Sequence, residues 1–404
     1  MKNLVLINNG TLPLPSVLGG AVENLIQLLI DLNEEKHYFN FIVYSIFNKE
    51  AEEKSKKYQY TTFRYIDEIE SSRARFFFIR ILNSFTFRFG GKYFGKPYLC
   101  KLVDKIQQDR KVFNYDLLLL EGCSSFADYI KRRVQIPIIQ RVHNTPLRNL
   151  KQWDIHNALS TDLYLGISNY ISNELKSNEG SFCSNIETLY NSINFPLFTK
   201  RISLLERNEL RQKYKLKESD LVFIYTGRIQ PYKGVKELIK AFLNIKNENV
   251  KLLIVGASTF SSTNITPYIQ SINDLLEKKK NDNVIFTGYI DYECIYKYYQ
   301  IADIAIFPSL WEEPFALTCL EALVSKLPVI ITNSGGMVEM VNDSCGVVID
   351  KDSNLENSLT NAMMFFIYNQ NLIEKMGEAS YEISLKFHST NYIERFKYII
   401  DKYF

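Results

Sequence analysis

Short, nearly uninterrupted apolar runs recur along the chain: LVLIN from Leu4, FIVYS from Phe41, DLLLLEG from Asp116, IPIIQRV from Ile136 and LYLGIS from Leu163. The second half repeats the rhythm with LVFIYTG from Leu221, VKLLIVG from Val250, NVIFTG from Asn283, IAIFPS from Ile304 and LPVIIT from Leu327. Runs so short and so apolar read as strands buried on both faces. Between several of them lie segments of helical period, the clearest from Ala21 to Glu35 with apolar residues at 22, 25, 26, 29 and 30. Alternating strand and helix predicts an α/β protein with parallel sheets covered on both sides. At 404 residues the chain exceeds what one core supports, so two doubly wound halves are expected, joined in the polar stretch from Asn191 to Asp220.

Composition narrows the class. With 46% hydrophobic and 23% charged residues the chain is a folded protein, and a net charge of +3 is too small for general nucleic-acid affinity, so anion binding must be local. Cys100, Cys123, Cys183, Cys294, Cys319 and Cys345 form no C-x-x-C pair and have no histidine at metal-ligand spacing. They are expected to be reduced thiols, and no metal site is expected. The N-terminal MKNLVLINNG lacks the core of a signal peptide and no run is long enough to span a membrane, which predicts a cytoplasmic protein.

Ligands of doubly wound sheets bind beyond the carboxyl ends of the strands, so chemistry is sought there. After LVFIYT comes Gly227-Arg228-Ile229-Gln230-Pro231-Tyr232-Lys233-Gly234 and then an amphipathic helix, VKELIKAFLNI. Two cations beside a helix start can neutralise a departing diphosphate without a metal. After IAIFPS comes SLWEEPFALTCLEALVSK. A helix starting near Pro314 would put Glu313 at its mouth and Glu321 about two turns in on a similar face. One carboxylate would hold sugar hydroxyls and the other ribose, while the amides from Phe315 and Ala316 to Leu317 and Thr318 would meet the phosphates. Each feature alone reads more simply as a turn or a solvated helix face; together they converge on one chemistry. Ser334-Gly335-Gly336 offers a further turn where backbone could approach a ligand, and Glu339 reads equally as a capping or a supporting carboxylate. In the first half, Gly19 and Gly20 open a helix where backbone could pass close to a bound group. His143, alone among the four histidines, ends a strand and is the candidate for touching the transferred sugar or the acceptor, with a satisfied structural histidine as the competing reading.

Taken in order, LGGAVENL, RVHNT, TGRIQPYKG, EEPFALTCLEA and VIITNSGGMVE resemble glycosyltransferase family 4, retaining enzymes of the GT-B fold. The resemblance implies two Rossmann-like domains across a cleft: an acceptor domain over 1–198, completed by a closing helix over 386–404, and a nucleotide-sugar domain over 199–385. It gives Arg228 and Lys233 the diphosphate, Glu313 the donor sugar and Glu321 the ribose, and it places His143 in the reaction cleft. It implies a retained anomeric configuration without a protein nucleophile, a nucleotide-sugar donor, most often a UDP-sugar, and no cofactor. Ala316 departs from the family's usual glycine, and Tyr190-Asn191-Ser192-Ile193-Asn194 from its usual Asn-Gly. The segment Arg73–Tyr98 mixes aromatics with Arg and Lys and has no acidic residue. It suits an anionic membrane surface or a polyprenyl-diphosphate-linked acceptor, against the plainer reading of a core helix with snorkelling cations. A non-catalytic GT-B partner subunit, a nucleotide-sugar epimerase and a phosphorylase are the competing functions. A dinucleotide oxidoreductase is disfavoured because no G-x-G-x-x-G follows the first strand.

Overall fold

A computed structural model describes residues 1–66, 97–144, 152–179, 185–257, 266–279 and 281–404. They form two compact units: Met1–Ile167, Ile171–Leu189 and Ile393–Phe404 in the first, Ser168–Tyr170 and Tyr190–Tyr392 in the second. Cys183 and the basic aromatic segment up to Lys96 lie outside the described residues.

The first unit carries β1 (Lys2–Asn8), β2 (Phe39–Ile46), β3 (Thr61–Ile66), β4 (Leu117–Glu121), β5 (Ile138–Val142), β6 (Leu163–Gly166) and β7 (Ile186–Thr188). They form one sheet in the order 3-2-1-4-5-6-7, all parallel. The second unit carries β8 (Leu221–Thr226), β9 (Val250–Val255), β10 (Val284–Gly288), β11 (Ile304–Phe307), β12 (Val329–Thr332) and β13 (Gly346–Ile349), in the order 10-9-8-11-12-13, again all parallel. All ten apolar runs are strands. Both orders reverse beside the first strand of the sheet, between β1 and β4 and between β8 and β11. A doubly wound sheet opens a crevice at that point, beyond the carboxyl ends.

Helices cover the sheets through the spacing that predicted them. In the second unit Val235, Leu238, Ile239 and Phe242, one stripe of the helix Val235–Phe242, join Leu359, Met363 and Phe366 of the helix Leu355–Tyr368 over Phe223, Leu252, Ile254 and Ile306.

The units divide at Tyr190 and at Ile393, not at 199 and 386. Ser192 Oγ donates to Phe387 O at 2.6 Å, Phe195 packs on His388 and Phe198 on Tyr299, so 190–198 and 386–392 belong to the second core. Ile393–Phe404, most of the closing helix, belongs to the first unit. There Phe396 packs edge-on against Phe39, and Arg395 and Lys402 pair with Glu187 at 2.7 and 2.6 Å. The five described cysteines are free thiols. Among the described residues no helix is long and apolar enough to cross a membrane.

Candidate active site

The second unit brings the loops after β8 and β11 together through one glycine. Gly234 has φ +71, and a Cβ there would lie 1.9 Å from the Pro308 carbonyl oxygen, so no other residue permits this approach. The preceding turn, Pro231–Lys233, then delivers Lys233 Nζ to 2.6 Å from Glu313 Oε1. Glu313 is buried, and the same oxygen accepts from Ser309 Oγ at 2.6 Å. Lys233 Nζ also lies over the Trp311 ring, 5.5 Å from its centroid, and Trp311 packs edge-on against Tyr232. Arg228 is exposed in the same loop. Its carbonyl accepts from the buried Tyr225 hydroxyl at 2.8 Å, and its guanidinium forms no ion pair among the described residues.

The helix expected near Pro314 begins three residues later, at Leu317, and runs to Val324. Glu313 therefore stands outside it, in the loop, and shares no helix face with Glu321. Two contacts hold 312–314 away from helical geometry: Gly336 N donates to Glu313 O at 2.7 Å, and Gly335 N donates to Glu312 Oε2 at 2.7 Å. The N-cap is Ala316 at φ +69, a left-handed conformation that suits glycine. The departure from the family's glycine thus falls on a position whose backbone wants one. Ala316→Gly is expected to raise stability by about 0.5–1 kcal/mol, the steric relief exceeding the entropy glycine adds to the unfolded chain. A lower denaturant midpoint would refute this.

Cys319 N and Leu320 N both donate to Ala316 O, so the amides ahead of them, Leu317 and Thr318, face the helix mouth. Phe315 can offer only its backbone, because its side chain is buried against Tyr190 and Phe387. Glu321 lies on this helix, only 3% exposed. Its Oε2 accepts from Tyr299 Oη at 3.0 Å, and that hydroxyl is 2.6 Å from Thr226 Oγ1, the last side chain of β8. Burial raises the Glu321 carboxyl to about 8, only partly opposed by the Tyr299 hydrogen bond.

The glycine pair at 335–336 serves the protein's own backbone. A Cβ on Gly335 would lie 2.3 Å from Glu313 O, and one on Gly336 would lie 2.3 Å from Pro314 O. The peptide that approaches them is therefore the Glu313 loop, where the sequence suggested a ligand. Ser334 Oγ donates to Trp311 O, and Lys351 Nζ joins Glu312 Oε1 at 2.6 Å and Ser334 Oγ at 3.1 Å. Glu339 accepts from the amides of Asn169 and Tyr170 at 3.0 and 2.7 Å and from Tyr190 Oη at 2.8 Å, which makes it a capping carboxylate.

In the first unit, Gly20 (φ +107) caps the helix Ala21–Lys36. The space a Cβ would need is taken by Glu23 Oε2, 2.3 Å from that position, whereas Gly19 (φ +76) faces open space. The place where a bound group was expected to pass Gly20 is filled by the helix's own carboxylate, whose pKa burial raises. His143, just past β5, has Nε2 2.6 Å from Glu121 Oε2, and Arg141 Nη1 is 3.5 Å from Glu121 Oε1. Glu121 ends β4 and pairs in register with Asn8 of β1 and Arg141 of β5.

Ser309, Glu312, Lys351, Tyr299 and Glu121 join these groups without a motif to single them out in the sequence. Glu121 had a legible signal, a single carboxylate closing an otherwise apolar strand. The others are recognisable only by what they touch. Among the described residues no three His, Cys, Asp or Glu side chains gather as a metal site would require.

Two doubly wound units of parallel strands, with cation, carboxylates and helix-start amides beyond the strand ends of the second, have the architecture of the GT-B fold class. Residues 206–383 match the family model of glycosyl transferases group 1. The chain is 23% identical to spore coat protein SA of Bacillus subtilis (strain 168) over 349 residues, 84% of this chain and 83% of that protein. It is 34% identical to the capsular polysaccharide biosynthesis glycosyltransferase CapM of Staphylococcus aureus over 155 residues, 36% of this chain and 37% of that protein. The crystal structure of Anabaena Alr3699/HepE in complex with UDP shares the fold, with a TM-score of 0.74 at 16% identity over the whole of both chains.

Proposed function

We propose that the protein is a retaining, metal-independent family 4 glycosyltransferase that moves a hexose-type sugar from a nucleotide-diphosphate donor to a saccharide or lipid-linked acceptor. The observation that carries this reading is the Lys233–Glu313 pair, which joins the loops after β8 and β11 at the point where the strand order reverses, with the helix starting at Leu317 continuing from the Glu313 loop. Diphosphate oxygens at the helix start compete with Glu313 for the Lys233 ammonium, and Arg228 adds a second cation from the same loop. Glu313, so released, accepts hydrogen bonds from sugar hydroxyls, and Glu321 accepts from the ribose. The anomeric C–O bond to the diphosphate breaks as the acceptor oxygen bonds to the same carbon from the same face. The acceptor proton passes to the departing phosphate oxygen, so no protein nucleophile is needed. His143 in the first unit meets the transferred sugar or the acceptor.

UDP is the favoured donor nucleotide because HepE, a protein of the same fold, binds it. Cell-surface polysaccharide such as capsule or exopolysaccharide is the favoured product, from the likeness to CapM. The basic, aromatic composition of 73–98 supports a peripheral place on the anionic cytoplasmic face of the membrane, where a polyprenyl-linked acceptor would be met.

A panel of nucleotide sugars, scored for nucleoside diphosphate release with acceptor extract and EDTA, tests the reading. Release from one sugar, undiminished by the chelator, is expected. Release that EDTA abolishes contradicts metal independence, and no release from any sugar contradicts the donor class.

A further inference from the structure

We infer that Glu121 is a positioning residue that fixes the tautomer of His143, leaving Nδ1 as the acceptor that meets a substrate hydroxyl. The inference rests on the reading of His143 as a substrate-contacting group and adds which nitrogen acts and what holds it.

The case begins with register. Glu121 and Arg141 are Cα partners on the neighbouring parallel strands β4 and β5, so their side chains leave the sheet on the same face. Both are completely buried. A guanidinium only donates, so the oxygen nearest Arg141 Nη1 is committed as an acceptor, and a buried guanidinium requires a negative partner. Glu121 is thereby held as a carboxylate, and its second oxygen, 2.6 Å from His143 Nε2, also accepts. Nε2 must then carry the proton. In neutral imidazole the other nitrogen is an acceptor, so Nδ1 holds a lone pair. Nδ1 makes no hydrogen bond to the described residues. His143 follows the carboxyl end of β5, and Glu121 ends β4 beside Asn8 of β1, where the strand order of this sheet reverses. Glu121 faces the ring at Nε2 and Arg141 faces Glu121, while the nearby Glu23 carboxyl is raised chiefly by burial and in smaller part by the charge of Glu121.

A hydroxyl of the sugar or acceptor donates to Nδ1, which orients it and draws on its proton. The opposite tautomer would present an N–H there, and the hydroxyl would have to turn its lone pair instead. Glutamine at 121 produces that inversion: Arg141 claims the amide oxygen, the NH₂ group faces His143, and Nε2 becomes the acceptor.

The test is ¹⁵N-histidine NMR of the full chain, with His143→Asn assigning one of only four histidines, combined with donor kinetics. Wild-type protein is expected to show His143 protonated at Nε2, and Glu121→Gln is expected to show it protonated at Nδ1. Kinetically, Glu121→Gln should lower kcat about 10²-fold or more with KM for the donor changed less than about threefold, and Glu121→Asp should recover part of the loss. A wild-type His143 protonated at Nδ1 overturns the inference whether or not the glutamine variant folds, as does an unchanged kcat in a folded Glu121→Gln. Full activity in His143→Ala would instead overturn the substrate-contact reading on which it rests, while the NMR result on the tautomer stands separately.

Discussion

Lys233→Ala is expected to lower kcat/KM by about two to three orders of magnitude, the range seen when one preorganised electrostatic group is removed from a developing charge. Lys233 is held by Gly234, which lets its turn lie against Pro308, and by Glu313 at 2.6 Å. On the proposed reading a bound diphosphate takes this ammonium from Glu313, so the charge is already in place when the leaving group departs. The fold should survive, since Glu313 keeps the Ser309 hydroxyl at 2.6 Å. Glu313→Gln is expected to cost a similar factor through sugar contacts. Because the two side chains form one pair, the double variant should lose less than the product of the single losses. Steady-state kinetics with the donor found in the sugar panel, beside circular dichroism, decides. Near-wild-type turnover for Lys233→Ala sinks the electrostatic account.

The second large effect concerns stability. The Glu321 carboxyl is raised from an ordinary 4.5 to about 8 because burial penalises its charge. A folded-state value above the unfolded one makes the folded chain hold the proton more tightly. The stabilisation is full below pH 4.5 and is lost as pH rises through about 8, at roughly 1.4 kcal/mol per pH unit over that window. Glutamine keeps the shape and never ionises. Glu321→Gln should therefore match the wild type near pH 5 and exceed it by roughly 3 kcal/mol at pH 8, several degrees in thermal midpoint for a domain of this size. Midpoints measured across pH 5–8.5 would show two diverging lines. Parallel lines would mean that the Tyr299 hydroxyl and solvent already stabilise the anion. The same substitution replaces the carboxyl proposed to receive the ribose by an amide with one acceptor oxygen, so donor affinity should fall although stability rises. Such opposition is common where a buried group serves binding.

Lys351 and Glu312 brace the loop that carries Glu313. Their pair, with Gly335 N on the other carboxylate oxygen, ties the loop bearing Glu313 to the turn after β12. The loop is fixed on two sides, by Lys351 through Glu312 and by the backbone contact of Gly336 with Glu313 O. A supporting shell of this kind holds reacting groups within the tolerance that chemistry requires.

The sequence alone determined the class of fold and the address of the site. Ten apolar runs became ten strands because a strand covered on both faces has no polar position to spare, and that requirement is written residue by residue. The strands it did not announce, β3, β7 and β13, all lie at sheet edges. An edge has one neighbour and more solvent, as the exposed Thr62 and Val348 show, so its pattern is diluted. The strand-end rule also placed Arg228, Lys233, Glu313 and His143 at carboxyl ends, since topology follows from the order of elements. Tertiary structure alone decided the partners. That Lys233 meets Glu313 across 80 residues depends on a glycine fitting against Pro308, and that Glu121 meets His143 and Arg141 depends on strand register. The late helix start at Leu317, with Ala316 forced left-handed, comes from hydrogen bonds to Gly335 and Gly336. Local propensity records what each segment prefers, whereas these contacts exist only once distant segments are packed, and a few such bonds outweigh the local preference.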